Sequence, residues 1–426
     1  MNPIETSKAF AQKLDENDEL KKFRRFFFFG DENTIYLDGN SLGRLPLKTK
    51  QLITEAVNDQ WGNQLIESWN RNWYNKPVEL GDKIAKLTGA APGEVIVCDN
   101  TSANLYKLAH AALKLQTGKT RIVSDVFNFP TDLYILQGLI NDFGNRHELV
   151  LARSANNITI DLDDLNEKTN DSTALVVLSL VAFKSSFLYN AREVTRMAHK
   201  KGALVLWDLS HAAGAVEVEL NKTGADLAVG CTYKFLNGGP GSPAFLYVRE
   251  DLQEKLSNPI QGWFGEHNPF SFDLNYRPAK GIKKFLTGTP PILSLMAIEP
   301  GIDLLLQAGI QKITEKSRRQ TSWFINLAQS LFPFGFKPGY PHEQESRGSH
   351  VSLKHPEGYR ITQAMINPEK LKPKIVPDFR EPDNIRFGIT PLYTTYTELW
   401  QTIQRLREIA ETREYENFSK DKKAVT

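Results

Sequence analysis

The side chains best suited to chemistry are concentrated between residues 204 and 243. Asp208 ends an apolar run, and His211 follows three residues later. Lys234 follows a second apolar run and precedes a glycine-rich turn. In an open parallel sheet, ligands bind outside the carboxyl ends of the strands. A strand-end acid with a strand-end lysine on the next strand is what pyridoxal phosphate requires. The lysine forms a Schiff base, and the acid keeps the pyridinium nitrogen protonated.

Pyridoxal phosphate also needs a binding site for its phosphate group and a surface for its ring. Two further segments are suited to these tasks. Thr101 and Ser102 lie between a predicted strand and a predicted helix, where helix amides and hydroxyls bind anions. The same residues would equally serve as plain helix caps. Phe129 follows another predicted strand, and its ring would stack on a pyridine face. Taken singly, each of these residues has an ordinary structural explanation, so their joint order along the chain carries the hypothesis.

The elements that must position these residues alternate between strand and helix from about residue 94 to residue 248. This alternation is typical of a mostly parallel sheet with helices on both faces. The apolar runs predict strands at 94–98, 121–124, 174–180, 203–208, 226–232 and 244–248, and the helical spacing predicts helices at 103–115 and 190–201.

After Pro290 and Pro291 the pattern changes to long helices at 292–308 and 310–331, followed by short strands such as 351–354 and 385–389. This pattern predicts a smaller α+β domain. We therefore expect an N-terminal arm at 1–45, a large α/β domain at 46–300 and a smaller domain at 301–426. A helix capped by Thr6 or Ser7 should begin the arm, and Phe26 to Phe29 should dock on the core or on a second subunit.

Composition excludes several classes of protein. The 426 residues carry a net charge of +2, too balanced for a dedicated nucleic-acid binder. The two cysteines, Cys98 and Cys231, form no CxxC pair, and no zinc motif is present, so we expect no metal site. No apolar run approaches the length of a membrane span, and no secretory signal follows Met1. The sequence therefore predicts a cytoplasmic enzyme that binds neither nucleic acid nor membrane.

Five stretches resemble the kynureninase family: YLDGNSLG at 36–43, FPTD at 129–132, WDLSHAAG at 207–214, CTYKFLNGGPGSP at 231–243 and WFG at 263–265. The likeness extends from about residue 30 to about residue 410. It implies an aspartate-aminotransferase-like α/β fold with a mostly parallel seven-stranded sheet and a smaller C-terminal α+β domain. It also implies a pyridoxal-phosphate-dependent homodimer that hydrolyses L-kynurenine to anthranilate and L-alanine, with 3-hydroxykynurenine as an alternative substrate. Such a reaction would belong to tryptophan catabolism or NAD biosynthesis.

The resemblance implies a role for each matching residue. Lys234, Tyr233 and Asp208 would be catalytic, with Lys234 holding the cofactor and later taking the substrate α-proton. The positions that match cofactor contacts are Thr101, Ser102, Phe129, Pro130, Thr131, Asp132, Ser179, Asp208, His211, Tyr233, Lys234, Trp263 and Thr289, of which Trp263 and Thr289 would come from the second subunit. The positions that match substrate contacts are Arg386, for the α-carboxylate, with Ser41 and Trp69.

The sequence shows two departures from the family pattern and leaves three alternatives, the first of which is an aminotransferase that would bind a keto acid for a second half-reaction. Thr289 and Trp69 stand where the branch that prefers 3-hydroxykynurenine has other residues, which favours plain L-kynurenine. A cysteine desulfurase or selenocysteine lyase would need a cysteine on a mobile loop, and Cys98 and Cys231 fall in or beside predicted strands. A regulatory pseudoenzyme would be expected to lack Lys234, Asp208 or Arg386, and all three are present.

Overall fold

A computed structural model describes residues 5–31, 33–369 and 371–423. Its largest sheet has seven strands in the order β2-β8-β7-β6-β5-β3-β4, all parallel to their neighbours except β8, which runs antiparallel to β2 and β7. The predicted seven-stranded, mostly parallel sheet is therefore confirmed. Its strands are β2 (Val95–Val97), β3 (Arg121–Asp125), β4 (Glu148–Ala152), β5 (Thr173–Ser179), β6 (Leu204–Asp208), β7 (Leu227–Gly230) and β8 (Phe245–Val248).

Helices cover both faces of this sheet, because its central strands are apolar along their whole length. Every residue of β5 and β6 is buried, which requires packing partners on both sides. The α-helices of the described chain up to residue 253 are α1 (Lys8–Glu16), α2 (Leu47–Glu55), α3 (Lys76–Thr88), α4 (Thr101–Leu115), α5 (Pro130–Asp142), α6 (Leu162–Lys168), α7 (Ala191–Lys200), α8 (Leu220–Thr223) and α9 (Glu250–Gln253).

The C-terminal part is built around a four-stranded antiparallel sheet in the order β12-β13-β10-β9. A separate parallel pair joins β1, near the N-terminus, to β11. The strands are β1 (Thr34–Tyr36), β9 (Lys337–Pro338), β10 (His350–Lys354), β11 (Lys374–Val376), β12 (Asp378–Arg380) and β13 (Asn384–Gly388), and the helices are α10 (Ile292–Ala308), α11 (Ile310–Ala328), α12 (Gly358–Ile366) and α13 (Tyr396–Thr412).

The N-terminal segment packs against the C-terminal part rather than standing apart. Ser7 caps α1, as predicted, and Ala11, Ile35 and Leu37 join the apolar core formed by α11, α13 and the small sheet. Phe27 is 3% exposed, whereas Phe28 is 53% exposed, so the phenylalanine run is only partly covered within one chain. The predicted limit at residue 300 falls inside the continuous helix α10, and the limits of the domains stay a prediction.

Within the described residues, no single helix is both long and apolar enough to cross a membrane, although α10 and the helical segment after it, bent by 83°, meet the length and composition criteria as a pair.

Candidate active site

The candidate active site lies at the carboxyl edge of the seven-stranded sheet, where β5 and β6 end side by side. Ser179 and Asp208 are register partners at the last position of these strands. Asp208 is buried, and its Oδ1 accepts a hydrogen bond of 2.8 Å from the backbone N–H of Ser210. Burial raises the pKa of Asp208, while Lys234 and the bonds from Ser210 oppose that rise. A buried carboxylate at this edge is a suitable partner for a protonated ring nitrogen.

Lys234 lies in the turn that follows β7, the strand next to β6 in the sheet. Its Nζ is 3.0 Å from His211 Nε2. Burial is the main cause that lowers the pKa of His211, and the charge of Lys234 adds to it. His211 is therefore neutral near pH 7 and accepts the hydrogen bond that the lysine donates. This contact fixes the position of the lysine nitrogen at the sheet edge.

Aromatic rings stand beside the lysine. Its Nζ is 5.8 Å from the centre of the Phe129 ring and 5.9 Å from the centre of the Tyr233 ring. The Phe129 ring is 39% exposed and contacts Phe183 edge to face, at 5.2 Å between ring centres. Burial raises the pKa of the Tyr233 hydroxyl well above its usual value, so this hydroxyl keeps its proton at neutral pH. The Phe129 ring thus has an open face and the Tyr233 hydroxyl has a proton to give.

Asp132 is a second buried acid in the same place. It lies in the first turn of α5, after Pro130 and Thr131, and is 2% exposed. Its Oδ2 has no hydrogen-bond partner in the described chain. Burial raises its pKa well above the usual range, and the neighbouring Asp208 raises it further. A buried, unpartnered carboxyl oxygen favours a ligand with a hydrogen-bond donor or a positive charge at this point.

The start of α4 provides the predicted anion site. The side chain of Asn100 caps this helix by accepting a hydrogen bond of 2.9 Å from the N–H of Ala103. Thr101 and Ser102 occupy the first two helical positions, whose N–H groups have no intrahelical acceptor. Asn100 therefore supplies the cap, and the two hydroxyl residues remain free to bind a phosphate group.

Arg386 lies on β13 and is 1% exposed. Its Nη1 donates to the carbonyl of Phe183 at 2.6 Å, its Nη2 donates to Ser41 Oγ at 3.3 Å, and it forms an ion pair with Asp378. Ser41 Oγ in turn donates to Asp378 at 2.9 Å. Arg386 Nε is buried without a partner, which leaves a donor for a ligand carboxylate. The structure thus brings the predicted residues Ser41 and Arg386 together.

Three predicted site residues, Trp69, Trp263 and Thr289, are not linked to Lys234. Trp69 packs against Phe264, at 5.7 Å between ring centres, and Phe264 contacts its neighbour Trp263 at 4.5 Å. Trp263 is 41% exposed and Thr289 is also exposed. Among the described residues, no hydrogen bond, ion pair or ring contact joins any of these three residues to Lys234. These residues therefore do not complete the site of their own chain by direct contact.

Sequence reasoning missed three residues that the structure adds to the site. Asp378 pairs with Arg386, because β12 and β13 place the two residues opposite each other. Asn128 links the site to Ser179, whose Oγ donates to Asn128 Oδ1 at 2.7 Å. His350 on β10 lies 5.7 Å from His211 between ring centres. Asn128 stands next to the predicted Phe129, but Asp378 and His350 had no local signal.

Comparison with known proteins first defines the class. Residues 35–358 match the aminotransferase class-V family. A cysteine desulfurase from Thermococcus onnurineus has the same fold, with a TM-score of 0.76 and 18% sequence identity over 94% of this chain and 98% of its own. A cysteine desulfurase from Escherichia coli gives a TM-score of 0.76 at 16% identity, over 92% of this chain and 99% of its own. The fold is thus that of class-V pyridoxal-phosphate enzymes.

Sequence similarity then gives the family. Residues 313–406 match the kynureninase C-terminal domain. The kynureninase of Pseudomonas fluorescens is 41% identical over 410 residues, covering 95% of both chains. That of Burkholderia pseudomallei (strain K96243) is 41% identical over 408 residues, covering 94% of this chain and 95% of its own. The chain belongs to the kynureninase family, which confirms the resemblance noted in the sequence.

Membership of the class-V family implies the cofactor pyridoxal phosphate. The residues of the candidate site fit this cofactor. Asp208 and the unpartnered Asp132 provide buried acids for the ring, Lys234 provides the amine, and the start of α4 provides the phosphate site. Cys98 and Cys231 are both buried, and burial raises the pKa of each thiol, that of Cys98 to about 11. Neither is a nucleophile of the kind a desulfurase uses, so the desulfurase likeness is one of fold alone.

Proposed function

We propose that this protein hydrolyses the bond between the β- and γ-carbons of L-kynurenine, giving anthranilate and L-alanine. The observation that carries the proposal is that Lys234, held by His211 at 3.0 Å, and the buried Arg386 both lie close enough to His211 to lower its pKa, in a kynureninase-family chain. This pair accommodates an α-amino acid, with the amino group near the lysine and the carboxylate on the arginine. The guanidinium fork suits a carboxylate better than an ammonium does.

Pyridoxal phosphate, when bound, supplies an electron sink for negative charge at the substrate carbons next to the amine. The protein's own groups move the protons. Lys234, once free of the cofactor, takes the α-proton of the substrate at Nζ. Water then adds to the γ-ketone, and the bond between the β- and γ-carbons breaks so that the γ-carbon leaves as the carboxylic acid of anthranilate.

The β-carbon must receive a proton after the bond breaks, and Tyr233 is the group proposed to deliver it. Its hydroxyl is protonated at neutral pH because burial raises its pKa. Its ring lies beside Lys234, so the two proton-transfer groups stand at the same end of the substrate. Once the α-carbon has also regained a proton from Lys234, the three-carbon fragment on the amine side is released as L-alanine.

Product analysis tests this proposal. Purified protein is incubated with L-kynurenine and pyridoxal phosphate, and anthranilate and alanine are measured by chromatography. Equal amounts of the two products, and neither from Lys234→Ala, are expected. Transamination products, or release of sulfur from cysteine without cleavage of kynurenine, would contradict the proposal and favour another activity of the same fold.

We propose further that the active form is a cytoplasmic homodimer in which Trp263 and Thr289 complete the partner's site. In support, the segment around Trp263 exposes Phe272 at 75% and Leu274 at 99%, an apolar surface that a single chain leaves in water. Mixing Lys234→Ala with Thr289→Ala protein tests the arrangement. Hybrids with one intact site should recover part of the activity, and proven hybrids that stay inactive would refute shared sites.

We also propose that Thr289 favours L-kynurenine over its 3-hydroxy form. Threonine offers one hydroxyl and a methyl, whereas asparagine offers both an amide donor and an amide acceptor to a substrate hydroxyl. Thr289→Asn should shift the ratio of kcat/KM values toward the hydroxylated substrate by about one to two decades. If both values fall together with an unchanged ratio, Thr289 does not determine specificity, and Trp69 becomes the next residue to vary.

A further inference from the structure

His350 occupies a buried position on the face of the small sheet that turns toward the candidate site. It lies on β10, opposite Gly388 on β13, and Ser352 on the same strand lies opposite Arg386. Residues two apart on a strand share a face, so His350 and Arg386 are diagonal neighbours on one face. His350 is fully buried, and its ring is 5.7 Å from that of His211, which holds Lys234. It is therefore a neighbour both of Arg386 on the sheet and of His211, the residue that holds Lys234.

Neither ring nitrogen of His350 has a hydrogen-bond partner in the described chain. The carbonyl oxygens of Phe183 and Lys184 lie near the ring, but neither has hydrogen-bond geometry with a ring nitrogen, and both accept other hydrogen bonds. Phe183 O accepts from Arg386 at 2.6 Å, and Lys184 O accepts from Asn384 at 3.0 Å. Burial lowers the pKa of His350 well below its usual value, and the charges of Arg386 and Lys234 lower it further, while the nearby carbonyls of Phe183 and Lys184 oppose that fall.

A neutral imidazole carries one N–H donor and one acceptor nitrogen. A buried donor left without an acceptor destabilises the fold, so each such group in a native protein needs an explanation, and a catalytic or binding role is one. The two charged groups nearest this donor are the ones proposed to receive the amino and carboxylate ends of the substrate. A carboxylate bound to Arg386, the diagonal neighbour of His350, would offer this donor an acceptor.

We infer that His350 is a substrate-binding residue whose ring N–H donates a hydrogen bond to the α-carboxylate held by Arg386. The inference rests on the proposed function for the kind of ligand, an α-amino acid. A neutral donor at this point adds a contact without adding charge beside Arg386, Lys234 and the acids Asp38 and Asp378.

The test compares His350→Phe, which removes the donor and keeps a flat ring, with His350→Gln, which keeps a donor and an acceptor. Binding of L-alanine and of ethylamine to the pyridoxal-phosphate form is followed by the change in cofactor absorbance. Thermal unfolding of the cofactor-free protein gives the stability. His355→Phe is the matched control, since His355 is also buried but bonds to Phe334 O at 3.2 Å and lies away from Lys234.

His350→Phe should weaken L-alanine binding about 5- to 50-fold, leave ethylamine binding unchanged, and leave the cofactor-free protein as stable as the wild type or more so. His350→Gln should bind L-alanine within about threefold of the wild type. The control should lose stability and keep its affinity for L-alanine.

Unchanged L-alanine binding by His350→Phe would overturn the inference, as would an equal loss for both ligands or a loss of pyridoxal phosphate itself. If His350→Phe does not fold, His350→Leu makes the same comparison, and a failure of both variants to fold, with His350→Gln stable, would assign His350 to the fold instead. These outcomes are separate from the proposed function. A wild-type protein that does not cleave kynurenine still allows the alanine and ethylamine comparison.

Discussion

Replacing Arg386 with lysine keeps a positive charge and removes the planar fork. In the wild type, Nη1 donates a hydrogen bond to Phe183 O at 2.6 Å, and Nη2 donates to Ser41 Oγ at 3.3 Å. Arg386 also forms an ion pair with Asp378. One lysine nitrogen cannot hold these partners and also donate to a substrate carboxylate, as the unpartnered Nε of Arg386 can. Losing one charge-assisted hydrogen bond costs about 1.5–3 kcal/mol, which is about 10- to 150-fold in affinity.

The assay is steady-state cleavage of L-kynurenine by Arg386→Lys, with KM and kcat measured separately. The loss should fall mainly on KM, because the arginine binds a group that does not react. Arg380→Lys is the control, since Arg380 also pairs with Asp378, at 3.0 Å, but its side chain is 38% exposed, and it should change kcat/KM by less than about threefold. The reasoning is refuted if Arg386→Lys stays within threefold of the wild type, or if the two variants lose equally.

Burial and the neighbouring Asp378 raise the pKa of Asp38 to about 7, well above the ~3.9 of an unfolded chain. The folded protein thus holds a proton that the unfolded chain releases, so stability should fall as pH rises from about 4 to about 7, by about 2–4 kcal/mol for this group. Asp38→Asn should flatten that slope in thermal unfolding midpoints at pH 5 and pH 8, and an unchanged slope would exclude Asp38 as its source. Gly388→Ala should lower the unfolding midpoint, at a cost of about 1–3 kcal/mol, because its Cβ would lie 1.9 Å from Asn40 Oδ1. Gly138→Ala, in a helix with nothing within 4 Å of the added carbon, should be neutral or stabilising by up to about 1 kcal/mol, and equal effects of the two would count against the packing argument.

Much of the large sheet could be predicted because its strands are buried on both faces. The runs that became β5 and β6 are apolar throughout, and the prediction of their ends was right to within about a residue. Strand β4 (Glu148–Ala152) was missed because it lies at the edge of the sheet, where only Ala152 is fully buried and the apolar signal is weak. The strand predicted at 226–232 is shorter in the structure, Leu227–Gly230, since Asp226 and Thr232 are buried through side-chain hydrogen bonds instead.

The residues of the candidate site also divide into those that the sequence predicts and those that it does not. Asp208, His211 and Lys234 follow buried strands in chain order, so topology alone places them at one edge of the sheet. Asp378 and His350 reach the site through the antiparallel register of β10, β12 and β13, which pairs Asp378 with Arg386 and sets His350 diagonally from it. No local sequence signal gives the register of three short strands, so these two residues could be found only in three dimensions.

The central claim is that the lysine after β7 is the group to which pyridoxal phosphate attaches. Borohydride reduction of the cofactor-loaded protein, followed by peptide mapping in a mass spectrometer, tests it most directly. The pyridoxyl group should be found on Lys234, the residue held by His211 at 3.0 Å, and should be absent from that position in Lys234→Ala. A pyridoxyl group on any other lysine, or no reducible adduct in a protein that binds the cofactor, would contradict the account.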